Sequence, residues 1–594
     1  MILYNKVEKV EKINDIRINR VFWFPFEDPY IDYITPYNPF EFLEPVSYSP
    51  DPINYLYNSI IVDNKLYVDV KFQATLNFGN SDMTLSQKPP YQNTNASLIF
   101  STADLSPIKS EYYSTKSTPP NDNPEIYNFS IKTDSSSNIY HIGHTSSYGL
   151  NSNNNKINFY YGNNVSFFTL NIYDSNINGY IFKYNSNYNF ISAITFHGGS
   201  ASYDTLGNTS IIHDYLNINN YNFVYLSSDI DDTSSKYYIK KNNTTTEILN
   251  DGVNTKNTCA IVKYDENFSN ILWYKKFYAA TKVGYSVPIP PEEYNFNLYA
   301  YVDPTMDNNS WIAPPASTDR GSYEDSTNYT WTNTTNTLNS FDRENTTLNF
   351  INDTNNDYIY TTTKVDKCDG LFCYDNNSSQ TLITELNPFS YSFVISKIKV
   401  SDGTISWGKY ISFDYLDSYI NKIEYKNNNV YISIKTYGQI TINDIQYGST
   451  TPNWKIFVIS MTRDGVFNWI TELGGNNDDF ATDLQIYTDT DKKDYILLSG
   501  YYSNSTSIGS YNLSTTGIAS YVAKLNSNGK VVGIYHKTST STIFIKKINI
   551  KNRNLFMCGN FIGTTYIGGR LIKNKKSTTT TEIFVEEIKI TDIK

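Results

Sequence analysis

The sequence predicts an all-β chain folded as a seven-bladed β-propeller of four-stranded antiparallel blades, its ring closed by an N-terminal strand. Three observations lead there. One strand–turn–strand phrase recurs along the chain, four strand-like segments accompany each recurrence, and a segment near the N-terminus matches the strand that the last recurrence lacks.

The phrase is clearest in "SYVAKLNSNGKVVGIYH", Ser520 to His536. Tyr521–Leu525 is β-prone, Asn526–Gly529 supplies a tight turn, and Val531–Val532 resumes the apolar pattern. Aligned on the second residue of the opening strand, it recurs at Ile99, Ile181, Ile261, Val394, Val458, Val522 and Val585. The last four are 64, 64 and 63 residues apart, and the earlier steps are 82, 80 and 133. A near-constant period over several units is the mark of a repeat architecture.

Each unit carries four short strands, here A to D. In the sixth they read "DLQIYTD", "DYILLSGYY", "SYVAKLN" and "KVVGIYH"; in the fifth, "INKIEYK", "NVYISIK", "IFVISMT" and "VFNWITE". Four antiparallel strands per unit, with no helical period between units, describe a propeller blade; a flat solenoid is the structural alternative. The seventh unit offers A, B and C segments and then ends at Lys594. D strands elsewhere end on Trp after a turn residue, at Trp273, Trp407 and Trp469, and Asn19–Trp23 fits that slot. A closing strand at about residues 19–26 would remove the unpaired edge that an open array exposes. The tryptophans themselves are expected to be ordinary core between blades. The predicted organisation is one domain over 1–594, with blades over about 53–594 and an insertion, 279–343, between the third and fourth.

The unit resembles the bacterial β-propeller repeat family in "SYVAKLNSNGKVV", in "ELGGNNDDFATDLQIY" (Glu472–Tyr487) and in "NNNVYISIKTYG" (Asn427–Gly438). The match is best in units five to seven and loose in one to three. The resemblance implies a propeller scaffold and brings no catalytic residues, because propellers host many functions.

Composition bounds the rest. The 594 residues are 39% hydrophobic and 16% aromatic, with 54 Tyr, so the chain can bury a large core. Abundant Asn, Ser, Thr, Ile and Tyr resemble the bias of AT-rich genomes such as those of phages and giant viruses. The net charge of −11, without a basic face, argues against nucleic acid, which demands concentrated positive charge. The charged start "MILYNKVEKVEKINDIRINR" has no apolar run of a secretory signal, and no segment is long and apolar enough for a membrane span. Assembly in a cytoplasm is expected, and four Cys are too few for a disulfide framework.

Loop lengths are lopsided. A–B and C–D connections are tight, whereas the B–C connections His144–Gly179, Asp229–Thr258 and Lys364–Tyr391 and the D–A connection Ala279–Arg343 are long. In a propeller the long ones emerge on one face, where binding is expected. Within the insertion, Trp311, Tyr323, Tyr329 and Trp331 are the candidate anchors, since aromatics in a polar loop stack on sugars or fill a partner's pocket; the competing reading packs them onto their own blades. His141 and His144 are a ligand pair in type only, because their spacing on a strand points them to opposite faces. The acidic runs Asp229–Asp232 and Asn476–Asp479 lack the spacing of a calcium loop and read as solvated turns. Cys368 and Cys373 share one loop and would stay thiols in a reducing cytoplasm, while Cys259 and Cys558 read as small buried hydrophobes. No nucleophile motif, phosphate loop or zinc spacing occurs, so no catalytic residue, metal or cofactor is expected.

The function expected is therefore a non-enzymatic structural or interaction protein, a virion component presenting its loop-rich face to other virion or assembly proteins. The alternative is a glycan-binding attachment protein using the same face. A propeller hydrolase or lyase would instead need carboxylates such as Asp483 to converge on a central cavity.

Overall fold

A computed structural model of the chain describes residues 18–24 and 26–27, most of 55–284, residues 329–333, and 349–594 apart from short loops. Among the described residues the regular elements are strands, apart from a single 3-10 turn at Ile590–Asp592.

The strands fall into consecutive antiparallel A–B–C–D sets. The first is Tyr55–Val62, Lys65–Phe72, Thr94–Ser101 and Pro107–Thr118. Next comes Glu125–Thr133, Ile139–Ser146, Asn178–Tyr184 and Phe190–Gly199. Thr209–Ile218, Tyr221–Asp229, Thr258–Tyr264 and Ile271–Gly284 follow. Beyond the insertion lie Phe350–Asn352, Tyr358–Val365, Tyr391–Lys399 and Ile405–Phe413, then Tyr419–Lys426, Asn429–Tyr437, Trp454–Thr462 and Phe467–Leu473. Asp479–Thr488, Asp494–Ile508, Tyr511–Asn526 and Val531–Lys537 form another. The last joins Thr542–Lys551, Asn554–Ile562 and Glu582–Lys589 to the N-terminal strand Ile18–Phe24.

Each A strand lies against the A strand of the next set, and Tyr55–Val62 touches both Glu125–Thr133 and Thr542–Lys551, which closes the ring. The N-terminal strand occupies the missing D position, with Phe22 opposite Val585 and Arg20 opposite Glu587.

By hydrogen-bond continuity the ring has five blades, not the seven expected. Two blades are double: Asn178 pairs in parallel with Ser210, and Ile518 with Thr542, so one set runs into the next at those junctions. Sequence spacing registers the repeating set but not a single inter-set contact, which is why the expected count was higher.

Turn chemistry follows the pattern of tight hairpins. Asn219–Asn220 and Asn427–Asn428 have positive φ at both central positions, a conformation that Asn tolerates better than most residues. The apolar strand residues pack between neighbouring sets. Leu66, Val68 and Leu98 of the first set share one buried cluster with Phe556, Cys558, Ile583 and Val585 of the last. Burial at about 25 cal/mol per Å² of apolar surface makes such inter-set clusters the main cohesive term of the ring.

The long B–C connections are not open loops. Each folds as a β-hairpin laid against the D strand of the preceding set, or just beyond that strand's end. Lys156–Tyr161 pairs with Pro107–Thr118, Lys236–Lys241 with Phe190–Gly199, and Gly370–Asp375 with Ile271–Gly284. Ile440–Ile442 adds to Ile405–Phe413, and Thr75–Asn77 adds to Phe26–Glu27, just beyond the closing strand. The hairpin tip carrying Ser507 accepts the Gly474 N–H at 3.2 Å, and Thr565 bridges to Ser539. The elaborated face is thus a ring of latches as well as a surface.

Candidate binding face

The four expected anchors divide. Tyr329 and Trp331 fall on the short strand Tyr329–Asn333, which pairs with the far end of Ile271–Gly284, Trp331 opposite Lys282 and Tyr329 opposite Gly284. Trp311 and Tyr323 lie outside the described residues.

A set of aromatics that the sequence reading missed lies where B strands end and C and A strands begin, on the same elaborated side. Tyr415 meets Tyr437 edge-on at 4.6 Å, and Tyr437 meets Trp454 at 5.4 Å. Phe480 stacks on Tyr501 at 4.6 Å, and Tyr501 meets the edge of Phe544 at 4.8 Å. The Lys435 ammonium joins the two groups, 3.8 Å from the ring centres of both Trp454 and Phe480 and 5.1 Å from that of Tyr419. Tyr415 is 46% exposed, Tyr437, Trp454, Tyr501 and Phe544 are half-buried, and Phe480 is buried. Rings held edge-to-face and over a cation are fixed in orientation before any ligand arrives.

One signal in the sequence could have located this arc. The A strands carry a β-bulge at a common place, after Leu56, Ile212, Ile420, Ala481 and Ile545. Three residues before the position at which pairing resumes stands an aromatic in most sets: Tyr55, Tyr419, Phe480 and Phe544.

The bulges also build a charged collar inside the ring, because a bulge re-aims the side chain that follows it. Lys132 pairs with Asp214 at 2.9 Å, and Lys422 lies 3.5 Å from Glu424 and 3.8 Å from Asp483. Burial pushes the Glu424 carboxyl up from its ordinary value and the Lys547 amine down. Asp483 shares Lys422 with Glu424, and it is also a structural staple. Its two oxygens accept the Leu484 N–H at 3.0 Å and, across the junction, the Ile548 N–H at 3.1 Å. Asp214 does the same for Tyr215 at 2.9 Å and Phe350 at 3.2 Å.

The remaining sequence candidates take structural positions. His141 is buried, with Nδ1 2.9 Å from Asp69 and Nε2 2.7 Å from the Tyr188 hydroxyl. Tyr188 donates to Ser97, which donates to Asp69 at 2.6 Å, closing a polar ring between the first two sets. His144 is buried on the same strand. Among the described residues no three His, Cys, Asp or Glu gather as a metal site. Asp229 ends a strand, and residues 230–235 lie outside the described residues, as do 476 and 477. Asp479 is not the solvated turn residue expected. It is buried and accepts the Gly475 N–H at 2.8 Å, because the turn's donors need an acceptor inside, and burial pushes its carboxyl up to about 6. Cys259, Cys368, Cys373 and Cys558 are buried and form no disulfide among the described residues. No helix among the described residues is long and apolar enough to cross a membrane.

No family model matches the chain, and no curated protein matches it. Solved structures align over most of its length at very low identity. Drosophila Plexin A in complex with Semaphorin 1b aligns over 90% of this chain and 85% of its own, with 6% identity and a TM-score of 0.28. The extracellular domain of the one-component system BT4673 from B. thetaiotaomicron aligns over 81% of this chain and 91% of its own, with 10% identity and a TM-score of 0.11.

Proposed function

We propose that the chain is a non-enzymatic interaction scaffold, a virion component that presents its hairpin-bearing face to another assembly protein. The five blades are read here as seven bacterial-type propeller repeats, two pairs of them fused. The observation that carries the reading is the aromatic arc from Tyr415 through Trp454 to Phe544, ordered yet partly open to solvent on the face where the hairpins and the insertion also emerge. Tyr and Trp anchors of this kind dominate binding energy at protein interfaces.

Mass spectrometry of purified particles against infected-cell lysate tests the assignment. Enrichment in particles is expected, and loss of enrichment in a folded Trp454→Ala, Tyr501→Ala variant would locate the contact. A chain found only in the lysate would overturn the reading. The same rings also favour a second reading, glycan attachment, since aromatic faces stack on sugars. Saturable binding of a glycan by the purified chain, lost in the same variant, would select it.

A further inference from the structure

Among the described residues the collar contains one side-chain amine without a hydrogen-bond or ion-pair partner. At the bulge position of their A strands, Lys422, Asp483 and Lys547 occupy equivalent places in three successive sets. Lys422 has Glu424 and Asp483 beside it, and Lys132 has Asp214. Asp214 and Asp483 are in addition committed to backbone N–H groups on both sides of a junction. The Lys547 side-chain amine forms no hydrogen bond or ion pair with any described residue, although the charges of Asp483, Lys422, Lys132 and Asp214 all act on it. Its neighbour Asn549 is occupied with Ser59 at 2.7 Å.

A partly buried ammonium with no acceptor is costly, and the collar's fixed carboxylates cannot move to meet it without releasing the N–H groups that staple the ring. An oxyanion entering the ring would supply the missing acceptor. We propose that the inner collar is an oxyanion site in which Lys547 is the primary ligand and Lys422 and Lys132 add attraction. The group recognised is a phosphate or carboxylate, small enough to sit between the A strands. This site is separate from the aromatic arc, and the inference does not depend on the proposed function.

The test is thermal unfolding of the full chain in phosphate and in acetate, each against chloride at matched ionic strength, with equilibrium dialysis of radiolabelled phosphate. Wild type should be stabilised specifically by phosphate, by acetate, or by both, which distinguishes the two sources. Lys547→Gln should lose that stabilisation while melting no lower in chloride, because the substitution removes an unsatisfied charge. Lys547→Arg should retain it. An unchanged anion effect in Lys547→Gln would overturn the proposal, as would the absence of any anion-specific effect and of saturable phosphate binding in wild type. Should Lys547→Gln fail to fold, dialysis of wild type decides: saturable binding competed by acetate or sulfate supports the site, and no saturable binding sinks it.

Discussion

The Trp469 indole N–H donates to the Ser527 carbonyl at 2.8 Å, so the D strand of one set is fastened to the C–D turn of the next. The relation recurs: Trp273 donates to Val400 at 3.2 Å and Trp407 to Arg463 at 3.3 Å. Beneath each ring lies a turn glycine with positive φ, Gly403, Gly465 or Gly529, and at Gly529 an added Cβ would sit 2.5 Å from the Trp469 ring. The tryptophans are therefore junction residues, as their shared place in the repeat predicts, and they hold by a directed hydrogen bond as well as by area.

Trp469→Phe removes the donor together with part of the ring and should cost at least about 1 kcal/mol, the net worth of one hydrogen bond. Gly529→Ala should cost about 2 kcal/mol, since it combines a backbone conformation unsuited to Ala with a clash on the ring. Denaturant unfolding of both variants measures this. Equal midpoints for wild type and Gly529→Ala would refute the junction's tight fit.

The hairpins should be load-sharing parts of the ring. Ile440 and Ile442 are buried in the core shared by the sets on either side of that junction. Ile440→Ala should cost about 2–4 kcal/mol by the usual price of a large-to-small change in a core. A freely exchangeable loop would instead tolerate the change, as loop-closure entropy alone predicts. Unfolding of this variant separates the two.

Asp479 predicts a pH dependence. Its folded value, about 6, lies above the ordinary 3.8 because burial disfavours the charge. The folded state then holds a proton that the unfolded state has released, so stability should fall as pH rises from about 4 through 6. Asp479→Asn should flatten that slope. A wild-type melting temperature that rises over the same window, with the rise unchanged in Asp479→Asn, would show that other groups dominate.

Lys537 and Glu586 form a buried ion pair at 2.5 Å, to which Tyr535 adds a hydrogen bond at 3.2 Å. Glu586→Gln should destabilise by about 3–5 kcal/mol, because it strands the ammonium in a buried place. Lys537→Met paired with Glu586→Gln should recover part of the loss, and a double variant no better than the single would contradict this coupling.

The repeat was legible because each strand carries its own alternation, and the phrase around Val394, Val458, Val522 and Val585 sets the register without tertiary information. The closing strand was legible for the same reason, as Asn19–Trp23 is a D-strand sentence out of place. The hairpins were hidden because their strands are as short as three residues, too few to show an alternation of their own, for example Ile440–Ile442. The aromatic arc was hidden because Trp454 and Phe480 meet only through Lys435, a relation between separate sets. Counting blades from spacing failed at two single-residue contacts, Asn178 with Ser210 and Ile518 with Thr542.

The central claim is that residues near the N-terminus close the ring on the strand containing Val585. Thermal unfolding of the chain lacking its first 26 residues, followed with light scattering, tests it most directly. Removing the partner of Glu582–Lys589 exposes a full strand edge, so a large fall in melting temperature with aggregation is predicted. A truncated chain that stays monodisperse and melts with the intact protein would contradict the closure.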